Sequence, residues 1–125
     1  MYWGEGHVKL AISDDLRAWH PLGGPAGDPD ARWAGGLLRP RPGRFDSELV
    51  EPGPPPRVEG GHVTLVYNAK AADGTYAPGQ AVFSAADPSE LVWRSDAPFL
   101  VPEAPYEITG QVNRVIFAQG LVRLP

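Results

Sequence analysis

Cysteine is absent from the 125 residues. No disulfide scaffold and no thiol chemistry can therefore be built, although the compartment stays open on this ground. Long apolar runs are missing too, and no segment is long enough to span a bilayer. The stretch Met1 to His7 has no basic region and no apolar core of a secretion signal, which predicts a cytoplasmic protein. Positive charge is scarce. Eleven Lys and Arg against fifteen Asp and Glu give a net charge of −4 and a pI near 5.2. That balance predicts neither nucleic acid nor an anionic membrane as partner. The three histidines, His7, His20 and His62, have no metal-ligand spacing, so no metal site is predicted. A P-loop, a dinucleotide fingerprint and a G-x-S-x-G elbow are likewise missing, and no cofactor is implied.

Glycine and proline are abundant, at fifteen residues each. Together they are about twice the usual share, which calls for many turns and few long helices. A hydrophobic content of 42% is compatible with a packed core, and the length suits one domain. The apolar pattern has period two. Val8, Leu10 and Ile12 alternate along one face, as do Val63, Leu65 and Tyr67. Residues 80–84, 91–94 and 114–118 are further short strand candidates bounded by turn formers. The expectation is an all-β chain. Residues 21–42, dense in Gly, Pro, Ala and Arg, read as a long loop. Two segments look like one unit repeated: a strand ending at Ser13 or Ser84, an acidic turn, then Leu16 and Trp19 or Leu91 and Trp93. Such hairpins recur in propeller blades.

The stretch Arg44 to Pro56 carries Asp46 and Glu51 just ahead of a backbone that can hardly bend. Pro52 biases Glu51 toward an extended conformation, and Pro54, Pro55 and Pro56 favour polyproline II. A carboxylate on a stiff mount loses little entropy when held in place, which active sites exploit. The same composition also suits a solvated surface loop. A third acid, Glu107, sits in a segment that mixes Tyr106, Gln111 and Asn113. Carboxylates, amides and flat rings together suit sugar chemistry: acceptors for hydroxyls, rings for the sugar face, and two acids for the bond. Trp3, Trp33, Tyr76 and Tyr106 are the candidate rings, although core packing is the first expectation for any one of them. Arg39, Arg41 and Arg44 form a short basic cluster able to hold a phosphate or a carboxylate.

With these motifs in order, the chain resembles family 130 of the glycoside hydrolases, which holds mannoside phosphorylases and β-mannosidases. The resemblance rests on Tyr2-Trp3-Gly4-Glu5, on residues 13–19, and on Phe45 through Glu51-Pro52-Gly53 to Pro56. It continues through Leu65 to Asn68, Tyr76 to Gln80, Asp87-Pro88, Arg94 to Pro98, and Pro102 through Gly110-Gln111 to Val122. It implies a five-bladed β-propeller glycosidase fold, present here as about two to three blades, with one partial domain over residues 1–125 cut at both ends. Gly110-Gln111 and Phe117 to Val122 look more like the hydrolase branch. An inverting glycosidase on β-mannosides, hydrolytic rather than phosphorolytic, is therefore the leading expectation. A phosphorylase of the same fold and a non-catalytic carbohydrate-binding β domain are the alternatives.

The resemblance implies Glu51 and Glu107 as catalytic, and Asp46, Tyr76, Gln80, Gln111 and Asn113 as contacts to a mannose-containing oligosaccharide. Asp46 can serve instead to brace the loop. Gln119 stands where hydrolase relatives often carry Glu, and an amide cannot ionise. A partial ring leaves strand edges bare, so the isolated chain is expected to be marginal, to self-associate through them, and to lack turnover by itself.

Overall fold

The computed structural model describes residues 1–22, 36–122 and 124. Trp33 and most of the loop predicted over residues 21–42 lie outside the described residues. The rest is all-β, as expected, apart from one helical turn. Strands β1 (Tyr2–Trp3), β2 (Lys9–Ile12) and β3 (His20–Leu22) form one antiparallel sheet in that order. Strands β4 (Leu49–Pro52), β5 (Arg57–Glu59), β6 (His62–Lys70), β7 (Tyr76–Ser84) and β8 (Leu91–Arg94) form a second. Its order is β4-β6-β7-β8, with β5 paired to the other end of β6. The helical turn, α1, is Pro105–Ile108.

The two-residue period decides what lies between the sheets. Val63, Leu65, Tyr67 and Ala69 of β6 point to one face, and Val50, Ala77, Ala81 and Phe83 join them there by register. All of these but Ala77 join Tyr2, Val8, Leu10 and Leu38 in the core cluster. Tyr2 and Phe83 meet with ring centroids 4.9 Å apart, and the Tyr2 hydroxyl donates to the Pro88 carbonyl at 2.8 Å. Gly79 is needed on this face. A Cβ there would stand 2.6 Å from Phe45 Cζ and 2.7 Å from the Tyr67 ring.

Both copies of the repeated unit are hairpins. In β2–β3, the Ser13 hydroxyl accepts the Leu16 N–H at 2.8 Å and Asp15 accepts Arg17 and Ala18. In β7–β8, Ser84 accepts Ala86 and Asp87 while Asp87 accepts Ser89. Short polar side chains bonding their own backbone make such turns.

Two expectations are corrected. Ile12 was expected on one face with Val8 and Leu10, which are buried, yet it is half exposed at the end of β2, opposite the exposed His20. Residues 114–118 were expected as a strand. Arg114 has φ +56°, and only Val115 bridges, in parallel, to Tyr76. The segment is a strap instead, and its anchoring belongs to the site.

Candidate active site

The second face of the five-stranded sheet carries Glu51. In an antiparallel ladder, residues directly opposite share a face. Glu51 faces Asn68 and Pro78, while Leu49, Lys70 and Tyr76 form the next row. Glu51, Lys70, Tyr76 and, further along, Gln80 therefore project from one side. Asp46 reaches the sheet from the other side, through Tyr67 and Arg94, which share the core face by register.

The strap crosses the Glu51 face. The Tyr76 N–H donates to the Arg114 carbonyl at 2.9 Å, and the Ile116 N–H donates to the Tyr76 carbonyl at 3.1 Å. Buried Asn68 completes the anchoring. Its amide donates to the Ala118 carbonyl at 3.0 Å and accepts the Ala118 N–H at 2.7 Å, as a neighbouring strand would. Gly53 permits this approach, since a Cβ there would lie 2.9 Å from the Ala118 carbonyl oxygen. At its near end the strap closes a cleft of about 200 Å³ lined by Glu51, Tyr76, Val112, Val115 and Phe117. Tyr76 and Phe117 meet at 6.3 Å, and the Lys70 ammonium lies 5.7 Å from the Tyr76 ring centroid. A larger hollow of about 420 Å³ on the same face holds Gln80 with Arg57, Glu59, Thr64, Val66, Phe99 and Leu121. There Arg57 and Glu59 pair with each other, so the smaller cleft, with Glu51 half-buried against rings, is the better candidate for chemistry.

A neighbour on the turn between β1 and β2 acts on Glu51. The turn 4–7 is tight: Gly4 has φ +111°, and a Cβ there would come 2.5 Å from the His7 carbonyl oxygen. The Gly6 carbonyl accepts the Val50 N–H at 3.3 Å, which brings Glu5 toward Glu51. Burial first, and the Glu5 carboxylate second, push the Glu51 carboxyl above its ordinary value. Two carboxylates sharing a site is an arrangement able to hold or move a proton. The residue reading passed over Glu5 as an acid. Its place in Tyr2-Trp3-Gly4-Glu5, between two glycines, was the available signal.

The other sequence-predicted residues are spread out. Asp46 is fully buried. It takes Arg41 at 2.8 Å, Arg94 at 2.6 Å and the Tyr67 hydroxyl at 2.9 Å, which is a brace across the loop and β8. The Glu107 carboxylate accepts the N–H groups of Glu103 and Ala104 at 2.8 and 2.9 Å, and these bonds hold it below the usual carboxylate value. Gln111 and Asn113 are exposed on the turn that leads into the strap, where Asn113 accepts the Gly110 N–H at 3.1 Å. Of the basic cluster, Arg41 is bound to Asp46, Arg44 to Asp96 at 2.8 Å, and Arg39 leans on the Gly36 carbonyl. Among the described residues no group of acids and histidines could hold a metal ion, and no helix is long and apolar enough to cross a membrane.

A family profile described as β-1,4-mannooligosaccharide phosphorylase matches residues 1–124. The chain belongs to glycoside hydrolase family 130. Within this family a 1,2-β-oligomannan phosphorylase of Thermoanaerobacter is 30% identical over 113 residues, covering 90% of this chain and 34% of the relative. The β-1,2-mannobiose phosphorylase of Listeria innocua, solved with β-1,2-mannobiose, is 27% identical with a TM-score of 0.78, covering 95% of this chain and 30% of that one. A family 130 structure from a study of glycoside hydrolases that target β-1,2 mannosidic linkages in Candida mannan is 38% identical with a TM-score of 0.82. The match covers 96% of this chain and 35% of that one. The chain thus spans about a third of the length of the relatives it matches. Its fold is that of the family's five-bladed propeller, and of the two to three blades expected, the described residues form two sheets.

The expectation of hydrolysis rather than phosphorolysis is corrected. The curated relatives are a 1,2-β-oligomannan phosphorylase and two β-1,2-mannobiose phosphorylases. The hydrolytic reading leaned on Gly110-Gln111 and on the stretch Phe117 to Val122. A chain that spans a third of its relatives cannot carry that argument.

Proposed function

We propose that this chain forms part of the substrate cleft of a mannoside phosphorylase acting on β-1,2-linked mannooligosaccharides. What carries the proposal is the phosphorylase activity named for the curated relatives. In the reaction, a phosphate oxygen bonds to the anomeric carbon from the face opposite the leaving group. The glycosidic C–O bond breaks, and the leaving oxygen takes up a proton. The products are mannose 1-phosphate and a shortened acceptor.

Glu51 is the residue we assign nearest to this chemistry. Its half-burial and the adjacent Glu5 favour a retained proton, so it can donate to a sugar oxygen and accept again. The Tyr76 ring, backed by Phe117, offers a flat apolar surface for a pyranose face. Glu107 is held ionised by two backbone N–H groups, which suits it to accept from a sugar hydroxyl rather than to donate. Gln111 and Asn113 supply amides at the rim, Gln80 lines the neighbouring hollow, and Asp46 keeps the loop that delivers Glu51 in register.

Glu51→Gln and Glu107→Gln, made in the full-length protein that carries this chain, test the assignments. Loss of a group that moves a proton lowers the rate about 10²–10⁴-fold. Phosphate-dependent release of mannose 1-phosphate tests the reaction itself, and an unchanged rate in both variants removes both residues from it.

A further inference from the structure

Among the described residues, Lys70 is a cation on the Glu51 face with no carboxylate partner. It lies one row from Glu51 across the β4–β6 ladder and directly opposite Tyr76. Diagonal neighbours of this kind stand about 7–8 Å apart at Cα, within reach of a long side chain. Other cations beside this face are taken. Arg57 pairs with Glu59, and Arg114 pairs with Asp73 at 3.0 Å. Among the described residues, Lys70 makes no ion pair; its ammonium lies 5.7 Å from the Tyr76 ring centroid. The ring holds the stem in place without neutralising the charge. A cation one ladder row from an acid and beside Tyr76, whose ring packs on Phe117, has the composition of a sugar-phosphate site: the rings take the pyranose, the acid a hydroxyl, and the cation the phosphate oxygens.

We propose that Lys70 binds the phosphate group, as the attacking phosphate and then as the phosphate of the hexose 1-phosphate, at the mouth of the Glu51 cleft. The inference rests on the phosphorolytic reading above, but it concerns a residue and not the reaction.

The test is a 31P NMR titration of the full-length protein that carries this chain with inorganic phosphate, comparing the unmodified protein with Lys70→Met, Lys70→Arg and Lys9→Met. Lys9 is the control because its ammonium lies 5.2 Å from the Trp3 ring centroid, in the same kind of contact but on the other sheet. The unmodified full-length protein and Lys9→Met should saturate alike. Lys70→Met should weaken binding about tenfold or more, the worth of a charge-assisted hydrogen bond. Lys70→Arg keeps the charge and should retain most of the affinity, which separates charge from folding. Equal affinity in Lys70→Met, an equal loss in Lys9→Met, or no binding by the unmodified full-length protein would each overturn the proposal. None of these outcomes bears on phosphorolysis, which the release of mannose 1-phosphate reads separately.

Discussion

Replacing Asp46 by Asn keeps the shape of the side chain and removes its charge. The consequence follows from burial. Asp46 is fully buried, and the side chains of its partners Arg94 and Arg41 are only 8% and 26% exposed. With the carboxylate gone, Arg94 keeps the Arg39 carbonyl and the Tyr67 hydroxyl, but no counter-charge among its described contacts. Breaking a buried pair from one side costs about 3–5 kcal/mol. Arg41 retains the Ser95 carbonyl at 2.6 Å and Asp96 at 3.7 Å, which places the cost near the lower end, about 3 kcal/mol. That is a large part of the roughly 5–15 kcal/mol that holds a domain folded. For a chain of this size it corresponds to a fall of about 10 °C or more in Tm. Arg44→Ala is the internal control. Its pair with Asp96 is exposed on both sides, at 48% and 78%, and should be worth about 1 kcal/mol or less. Thermal and urea unfolding by circular dichroism read both variants. If Asp46→Asn costs no more than Arg44→Ala, the brace is not what holds the loop and β8 together.

Three further outcomes follow from the same geometry. Gly79→Ala pushes a methyl into Phe45 and Tyr67 and should cost about 1–3 kcal/mol in urea unfolding, whereas ordinary overpacking relief would leave it near zero. Asn68→Ala removes both bonds to residue 118, so the Ala118 amide should exchange with solvent far faster while the β6–β7 amides stay protected; unchanged exchange at Ala118 would mean the strap is held by something else. Glu51 has a raised carboxyl value in the fold, so it binds a proton more tightly there than when unfolded. Stability therefore falls as pH rises from the ordinary Glu range through the raised value. Glu5→Gln should lower the Glu51 midpoint in a 13C carboxyl titration, and an unmoved midpoint would dissolve the pair.

Much of the fold is legible from alternation. Val63, Leu65 and Tyr67 read as one buried face and are one, and the segment 91–94 coincides with β8. The paired Ser–Asp turns are legible because their cause is local: short side chains bonding nearby amides. The strap was misread because its bonding is not local. Residues 114–118 look like a strand, but the partner that completes the ladder is the Asn68 side chain, fifty residues away. The brace was half legible. Asp46 was placed on the right loop, yet Arg41, Arg94 and Tyr67 come together only when β6, β7 and β8 are in register. Glu5 illustrates the same limit. Its relation to Glu51 depends on the Gly6 carbonyl meeting the Val50 N–H between two sheets, which no spacing along the chain reveals.

The most direct test of the functional account is product analysis with β-1,2-mannobiose and the full-length protein that carries this chain, with and without inorganic phosphate. The account predicts mannose 1-phosphate in equal measure with released mannose, and no cleavage when phosphate is withheld. Two mannoses per disaccharide at an undiminished rate without phosphate would contradict it.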